Sequence, residues 1–431
     1  MPSESDLLKL LDDEPHSPST IDVRRAIAVG RRRVARRGVG YAGAAAATAV
    51  AVAGVSVAGG LVGHAAPDAA ATGAPHTGVA TSAPPKPRYT IPGKAGWTAP
   101  AATPPTRCTL DELTAPSNAP MALVAGADPA GRYIVGRSYP KAGGYQAVLW
   151  HDGLGRNVML PGDLEELLAD VNSTGTAVGW SYTGTTEAGT GPVPYVYRDD
   201  KVSKLAGVRR GSAYAINDAG AIVGTDEDHQ AAVVWPSATA KPIRLPVPAG
   251  TKEATARDID EDGTTVGDLD HAVPYVWFPD GTYRELPMPD LDGKPATTAQ
   301  VFSVRNGWAT GVATNGAERS GAKNPAGAKA RGVGAAVPVR WNLRTGEVSV
   351  SGVLRFPASA VNAQGWQIGT DKQGRAVLVA ATATVLLPDL AAHTPDGLST
   401  IPNTVSDDGR TIAGQSDDAT GTIQAVVWRC R

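Results

Sequence analysis

One phrase recurs along this chain. Asn217-Asp-Ala-Gly220-Ala-Ile-Val-Gly224 is followed, after a short gap, by His229-Gln-Ala-Ala-Val-Val-Trp235, and degenerate copies bring the count to seven. Their Val-Gly glycines, or the equivalent glycine, fall at Gly136, Gly179, Gly224, Gly267, Gly311, Gly369 and Gly414, giving spacings of 43, 45, 43, 44, 58 and 45. A period of this length marks units that bury their apolar faces only against one another. The expected fold is all-β, a seven-bladed β-propeller over residues 105–431.

Each copy reads as four short strands. In the third copy, residues 212–216 form an inner strand, Asn217-Asp-Ala-Gly220 turns the chain, and Ala221-Ile-Val returns it. Asn or Asp bonds its own backbone in such a turn, and Gly supplies a positive φ without a Cβ clash. The same turn is Asp128-Pro-Ala-Gly131, Asn172-Ser-Thr-Gly175, Asp260-Glu-Asp-Gly263, Asn362-Ala-Gln-Gly365 and Ser406-Asp-Asp-Gly409. Only Val304-Arg-Asn-Gly307 departs, with Val in the small polar position. The third strand ends at Trp150, Tyr197, Trp235, Trp277, Trp341 or Trp428; the sixth copy has only Ala376-Val-Leu-Val. Several fourth strands close with Leu-Pro (Leu160-Pro161, Leu245-Pro246, Leu286-Pro287, Leu387-Pro388), as suits an outer edge where a missing N–H costs little.

The seventh copy stops at Trp428-Arg-Cys430-Arg431, one strand short, while Arg107-Cys108-Thr-Leu110 precedes the first copy and belongs to no other blade. Lending that segment to the last blade closes the ring without an open sheet edge. It also sets the only two cysteines, Cys108 and Cys430, on neighbouring strands within disulfide reach. A bond closing so long a loop is worth about 5 to 6 kcal/mol at most in the chain-entropy model.

The turn and Val-Gly phrases, with His271-Ala272-Val273 and His229-Gln230-Ala231, resemble the extracellular HAF-repeat family, named for a His-Ala-Phe phrase before an apolar strand. The resemblance covers roughly residues 105–431. It implies a secreted or surface propeller and carries no general activity with it.

The first hundred residues set the compartment. Seven arginines between Arg24 and Arg37 precede an uncharged stretch, residues 38–63, rich in Ala, Gly and Val. At about 1.5 Å per residue this stretch is long enough for a hydrocarbon core of about 30 Å. The expected layout is a basic cytoplasmic head (residues 1–37), one transmembrane helix (38–63), a disordered Pro/Ala/Thr-rich stalk (64–104) and an extracellular propeller. The alternative is secretion after cleavage of an export signal near Ala65 or Ala66. In the head, Ser19-Thr-Ile-Asp22 fits a capping box, and the layout matches single-pass proteins that signal to transcription regulators.

Eight basic and six acidic residues lie in the head, which leaves 32 basic against 36 acidic. So acidic a balance offers nucleic acid no basic field. The expected partner is a cell-wall, glycan or protein ligand, met by a monomeric ectodomain. Asp258-Ile-Asp260-Glu-Asp262-Gly263 opens like a calcium loop, but Leu269 stands where the closing carboxylate belongs, and the segment aligns with an ordinary blade turn.

The phrases of serine hydrolases, zincins and P-loops are absent, so no catalytic residue, cofactor or metal is assigned and the chain is expected not to be an enzyme. Binding is expected on the face carrying the loops between second and third strands and the blade connections. The long segments 182–194, 288–298, 315–334 and 389–402 lie there. So do the ligand candidates Trp180, Tyr182, Asp228, His229, Asp270 and His271. The expected function is an extracytoplasmic binding or scaffolding module. The alternatives are a propeller hydrolase or lyase with its site in the central channel, and a single-pass sensor.

Overall fold

The Val-Gly glycines are forced by backbone proximity. A Cβ at Gly136, Gly179, Gly224, Gly267, Gly311 or Gly414 would run into a carbonyl oxygen of the adjacent inner strand, that of Leu123, Leu167, Ser212, Thr255, Gln300 or Ile401 respectively. In all six pairs the inner strand skips register by one residue just past this point. Such a bulge bends the strand and re-aims a side chain. The repeated glycine therefore permits a repeated bulge.

The computed structural model describes residues 90–431 except 141–143, 163–164, 183–190, 316–335, 356–359 and 393–398. Seven antiparallel sheets follow in chain order as blades. Their inner strands are Met121–Ala127, Glu166–Val171, Gly211–Ile216, Ala254–Ile259, Thr298–Arg305 and, in blade seven, Thr400–Val405. Blade six has three strands (Gln367–Thr370, Ala376–Val379, Thr384–Leu386), and in its inner position the described residues give two bridges, Leu354 to Asp371 and Val361 to Gln367. Strand Cys108–Glu112 is the outermost of blade seven, antiparallel to Ile423–Cys430, with Cys108 opposite Cys430. The expected disulfide joins them.

Consecutive blades are stapled by indole nitrogens. Trp150, Trp235, Trp277, Trp341 and Trp428 are at most 1% exposed. Each donates its Nε1–H to a carbonyl just past the outer strand of the preceding blade: Thr114, Ala206, Pro246, Pro287 and Pro388, at 2.7–3.0 Å. This accounts for the Leu-Pro phrase more fully than an edge position does. The Leu (Leu245, Leu286, Leu387) is buried between blades, and the Pro carbonyl accepts the next blade's indole. Blade two substitutes Tyr197, whose hydroxyl turns instead to Asp200 in its own hairpin.

The inner hairpins form a second ring of bonds on the turn face. Arg132 donates to the Ser173 carbonyl, Asn172 to that of Asn217, and Asn217 to that of Asp260. The Gly307 amide donates to Asp260, Asn306 to the Ala363 carbonyl, Asn362 to that of Ser406, and the Asp407 amide to that of Pro129. The circle passes through all seven blades. The fifth copy fits it by shortening its turn. Arg305 pairs with Trp308 across Asn306-Gly307, both at positive φ, so Asn306 takes the bridging role that Val304 has no group to fill.

The head, the span and the stalk up to residue 89 lie outside the described residues. The disordered-stalk expectation is corrected for residues 90–104, which follow the turn face. Ile91 is buried between blades three and four, the Pro92 carbonyl accepts from Asn217, and the Lys94 amide donates to the Glu261 carbonyl at 2.6 Å. Further on, Gln364 holds the Pro100 carbonyl and Arg410 the Thr103 carbonyl. Polar composition concealed this, because the partners are backbone groups exposed by the repeated turns.

Replacing Trp341 with Phe deletes one indole bond and leaves the half-buried Pro287 carbonyl without its donor, at a cost of about 1 kcal/mol. The expected outcome is a lower urea midpoint with an unchanged slope. An unshifted midpoint would show that the staple contributes nothing.

Candidate functional site

The bulged residues converge. Ala125, Ala169, Tyr214, Arg257, Phe302 and Asn403, one from each bulge, line a central cavity of about 190 Å³ together with the residues that follow them. It occupies the turn-face half of the channel, as its lining runs down to Asp128, Glu261, Arg305 and Asp407 in the hairpins. Five carboxylates (Asp128, Asp170, Asp258, Glu261, Asp407) face it against two guanidinium groups, Arg257 and Arg305.

Asp170 and Asp258 occupy matching places just past their bulges, and each reaches the next blade. Asp170 Oδ2 accepts the Ile216 amide at 2.9 Å, and Asp258 Oδ2 accepts the Val304 amide at 2.7 Å. Both border the cavity and are otherwise enclosed by protein. Burial pushes Asp258 up to about 6 against the lowering effect of its amide bonds and the Ser303 hydroxyl. Asp170 is held well above the usual carboxylate range, first by burial and then by the negative charge of Asp258. Both carboxyls are thus raised chiefly by burial, and Asp170 also by the charge of Asp258.

Arg305 closes the turn-face end. Its guanidinium takes both oxygens of Asp407 at 2.7 Å and Glu261 Oε1 at 2.8 Å, so it bridges blades four, five and seven. Trp97, from the segment ahead of the propeller, lies against it with the guanidinium carbon 4.4 Å from the ring centroid. A paired, stacked arginine of this kind stays charged.

Arg257 leads away from the cavity: its Nε donates to Asp268 at 2.9 Å. His271 lies beyond, with Nδ1 3.5 Å from Asp268 and Nε2 3.0 Å from Glu253. Those two carboxylates raise it to about 10, so the imidazole is a fixed cation at neutral pH.

The loop-face candidates are spent within their own blades. Asp228 pairs with Arg209 and His229 with Asp226, each at 2.7 Å, while Asp270 accepts the Lys252 and Glu253 amides. No bond links the Asp228–His229 tip to the Asp270–His271 tip among the described residues. Trp180 is 2% exposed and Tyr182 6%, packed edge to face with ring centroids 5.6 Å apart. In this conformation neither presents a face for stacking a ligand. Asp258, Asp260 and Asp262 serve separate backbone amides, those of Val304, Gly307 and Thr264, rather than one centre.

Asp170, Arg257 and Arg305 are not among the residues the sequence singles out, and Asp258 enters there only as the first residue of a calcium-like loop. The available signal was a charge two or three places before the blade turn, in Leu-Ala-Asp170-Val and Ala-Arg257-Asp258-Ile, where the other copies have small or apolar residues.

No family model matches the chain, and no curated protein matches it. Similar solved structures include an oligogalacturonate lyase from Vibrio parahaemolyticus, 10% identical, covering 76% of this chain and 98% of its own with a TM-score of 0.44. Virginiamycin B lyase from Staphylococcus aureus is 12% identical, with 75% and 99% coverage and a TM-score of 0.47. YCF48 bound to D1 peptide is 10% identical, with 76% and 98% coverage and a TM-score of 0.41. The likeness is one of fold. The expectation that the chain is not an enzyme is corrected: lyases stand among these propellers, so missing nucleophile and zinc phrases exclude nothing.

Asp258 binds its proton more tightly in the fold than in the unfolded chain, so its stabilising effect is complete at low pH and is lost as pH rises from about 4 through 6. Asp258→Asn removes that loss. Between pH 4.5 and 7.5 the variant is expected to gain about 1–3 kcal/mol relative to wild type in denaturant titrations. Parallel pH profiles would contradict the assignment.

Proposed function

We propose that this chain is a membrane-anchored, extracytoplasmic propeller of the HAF-repeat kind that binds a small cationic group in its central channel. The observation that carries the reading is the pair Asp170 and Asp258, lining one central cavity in which carboxylates outnumber guanidinium groups. A positive charge between them relieves their mutual repulsion and replaces the protons that burial otherwise imposes. The amine of a cell-wall glycan or peptide has the required chemistry. The disulfide supports an oxidising compartment, and the basic head and apolar stretch support the anchor.

A second reading follows from Asp258 itself. A carboxylate held at about 6 beside another held well above the usual range suits general acid–base work near neutrality, which would make the channel an active site.

Calorimetry on the full chain in detergent compares glucosamine with N-acetylglucosamine. Glucosamine is expected to bind, about tenfold more weakly in Asp170→Asn and more weakly as pH falls through 6, whereas the acetylated sugar is expected not to bind. Equal binding of both sugars would overturn the cationic reading. Product formation during the titration would favour the enzyme.

A further inference from the structure

The segment ahead of the propeller is built into the cavity rim. Residues 91–103 touch the inner hairpins in strict order: Ile91 and Pro92 at blade three, Lys94 at blade four, Trp97 at blade five, Pro100 at blade six and Thr103 at blade seven. A trailing linker has no reason to keep such a register. Gly93 lies so close to the turn of blade four that a Cβ would meet the Asp262 backbone. The central contact falls on Arg305, the group that bridges three blades beside Asp170 and Asp258.

We propose that residues 91–103 form a strap that regulates the channel, with Trp97 clamping Arg305 across the turn-face end so that displacing the strap loosens the bridge and changes the channel's grip on a ligand. The strap leads directly into residues 1–89, so a pull or a partner acting there reaches the channel through one stacked pair. Only the effect on a bound ligand rests on the channel reading; the coupling of strap to cavity stands separately.

The coupling is mechanical in a specific sense. With Trp97 in place, the guanidinium is covered on one face and directed at Asp407 and Glu261. Without it, water reaches the ion pairs, which weakens them. The Val304 and Gly307 amides, on either side of Arg305, are bonded to Asp258 and Asp260, so slackening of this hairpin registers directly at a channel carboxylate.

Hydrogen exchange on the full chain tests this with Trp97→Ala and, as a milder release at the far end, Gln364→Ala. Both are expected to exchange about tenfold faster over residues 303–307, with residues 147–150 and 222–226 as protected as in wild type. Faster exchange confined to residues 91–103 would overturn the proposal. If Trp97→Ala also loosens the reference strands, Gln364→Ala decides: unchanged exchange over 303–307 in that variant would refute the clamp. Glucosamine failing to bind any form would defeat the channel reading and leave the exchange result to judge the strap.

Discussion

Each blade lies face to face on the next, burying apolar clusters such as those shared by blades three and four and by blades four and five, and polar bonds between blades fix how those faces meet. Here those bonds run from a side chain to a neighbour's main chain: indole to carbonyl near the outer strands, carboxamide or carboxylate to the backbone at the inner hairpins. A side chain that bonds backbone does not require a particular residue in the adjacent blade, only a particular fold. This explains how seven copies drift far in sequence while retaining Asn or Asp, Gly and Trp. Where the copy drifts furthest, at blade six, the third strand carries no aromatic, and among the described residues its inner position is marked by two bridges. Its seam with blade five is correspondingly polar, with Gln367 reaching the Thr310 hydroxyl and Arg340 the Gly365 carbonyl.

The repeat made the fold legible, and the leftover strand with its two cysteines made the closure legible. The site was not legible, for a definite reason. A period-two strand pattern assigns alternate residues to opposite faces, and a bulge breaks that assignment. Arg257 and Asp258 are adjacent in sequence yet both line the cavity, which regular alternation forbids. The glycine that permits the bulge was visible in the sequence as the marker of the repeat, but nothing in the spacing showed the bulge beside it. Trp180 and Tyr182 show the opposite difficulty, since aromatic residues near a strand end read as a rim while their burial is a matter of packing that the sequence does not display.

The ring also fixes the electrostatics of its centre. Seven turns carry Asp, Asn or Ser because those residues cap backbone amides, and one consequence is that negative charge accumulates around the turn-face end. Of the two guanidinium groups lining the cavity, Arg305 is divided between Glu261 and Asp407, and Arg257 is bonded to Asp268. Asp170 and Asp258 are thus left without a counter-ion of their own. An architectural preference for short acidic turns has produced an electrostatically unfinished cavity, which is the physical basis for reading it as a site rather than as packing space.

The position of the disulfide gives the strap its boundary. Cys108 lies on the outer strand of blade seven, a few residues past the last strap contact, and is bonded to Cys430 in the strand beside it. Force applied from residue 90 can peel Ile91, Lys94 and Trp97 in turn, but it meets a covalent stop before it reaches the strand that closes the ring. The contacts that can yield are those at the cavity rim, and the one that cannot yield protects the fold. A tether joined to any other blade, or to an unbonded closing strand, would transmit the same load into unfolding. The order of strap, disulfide and closing strand therefore confines mechanical sensitivity to the channel end where Arg305 sits.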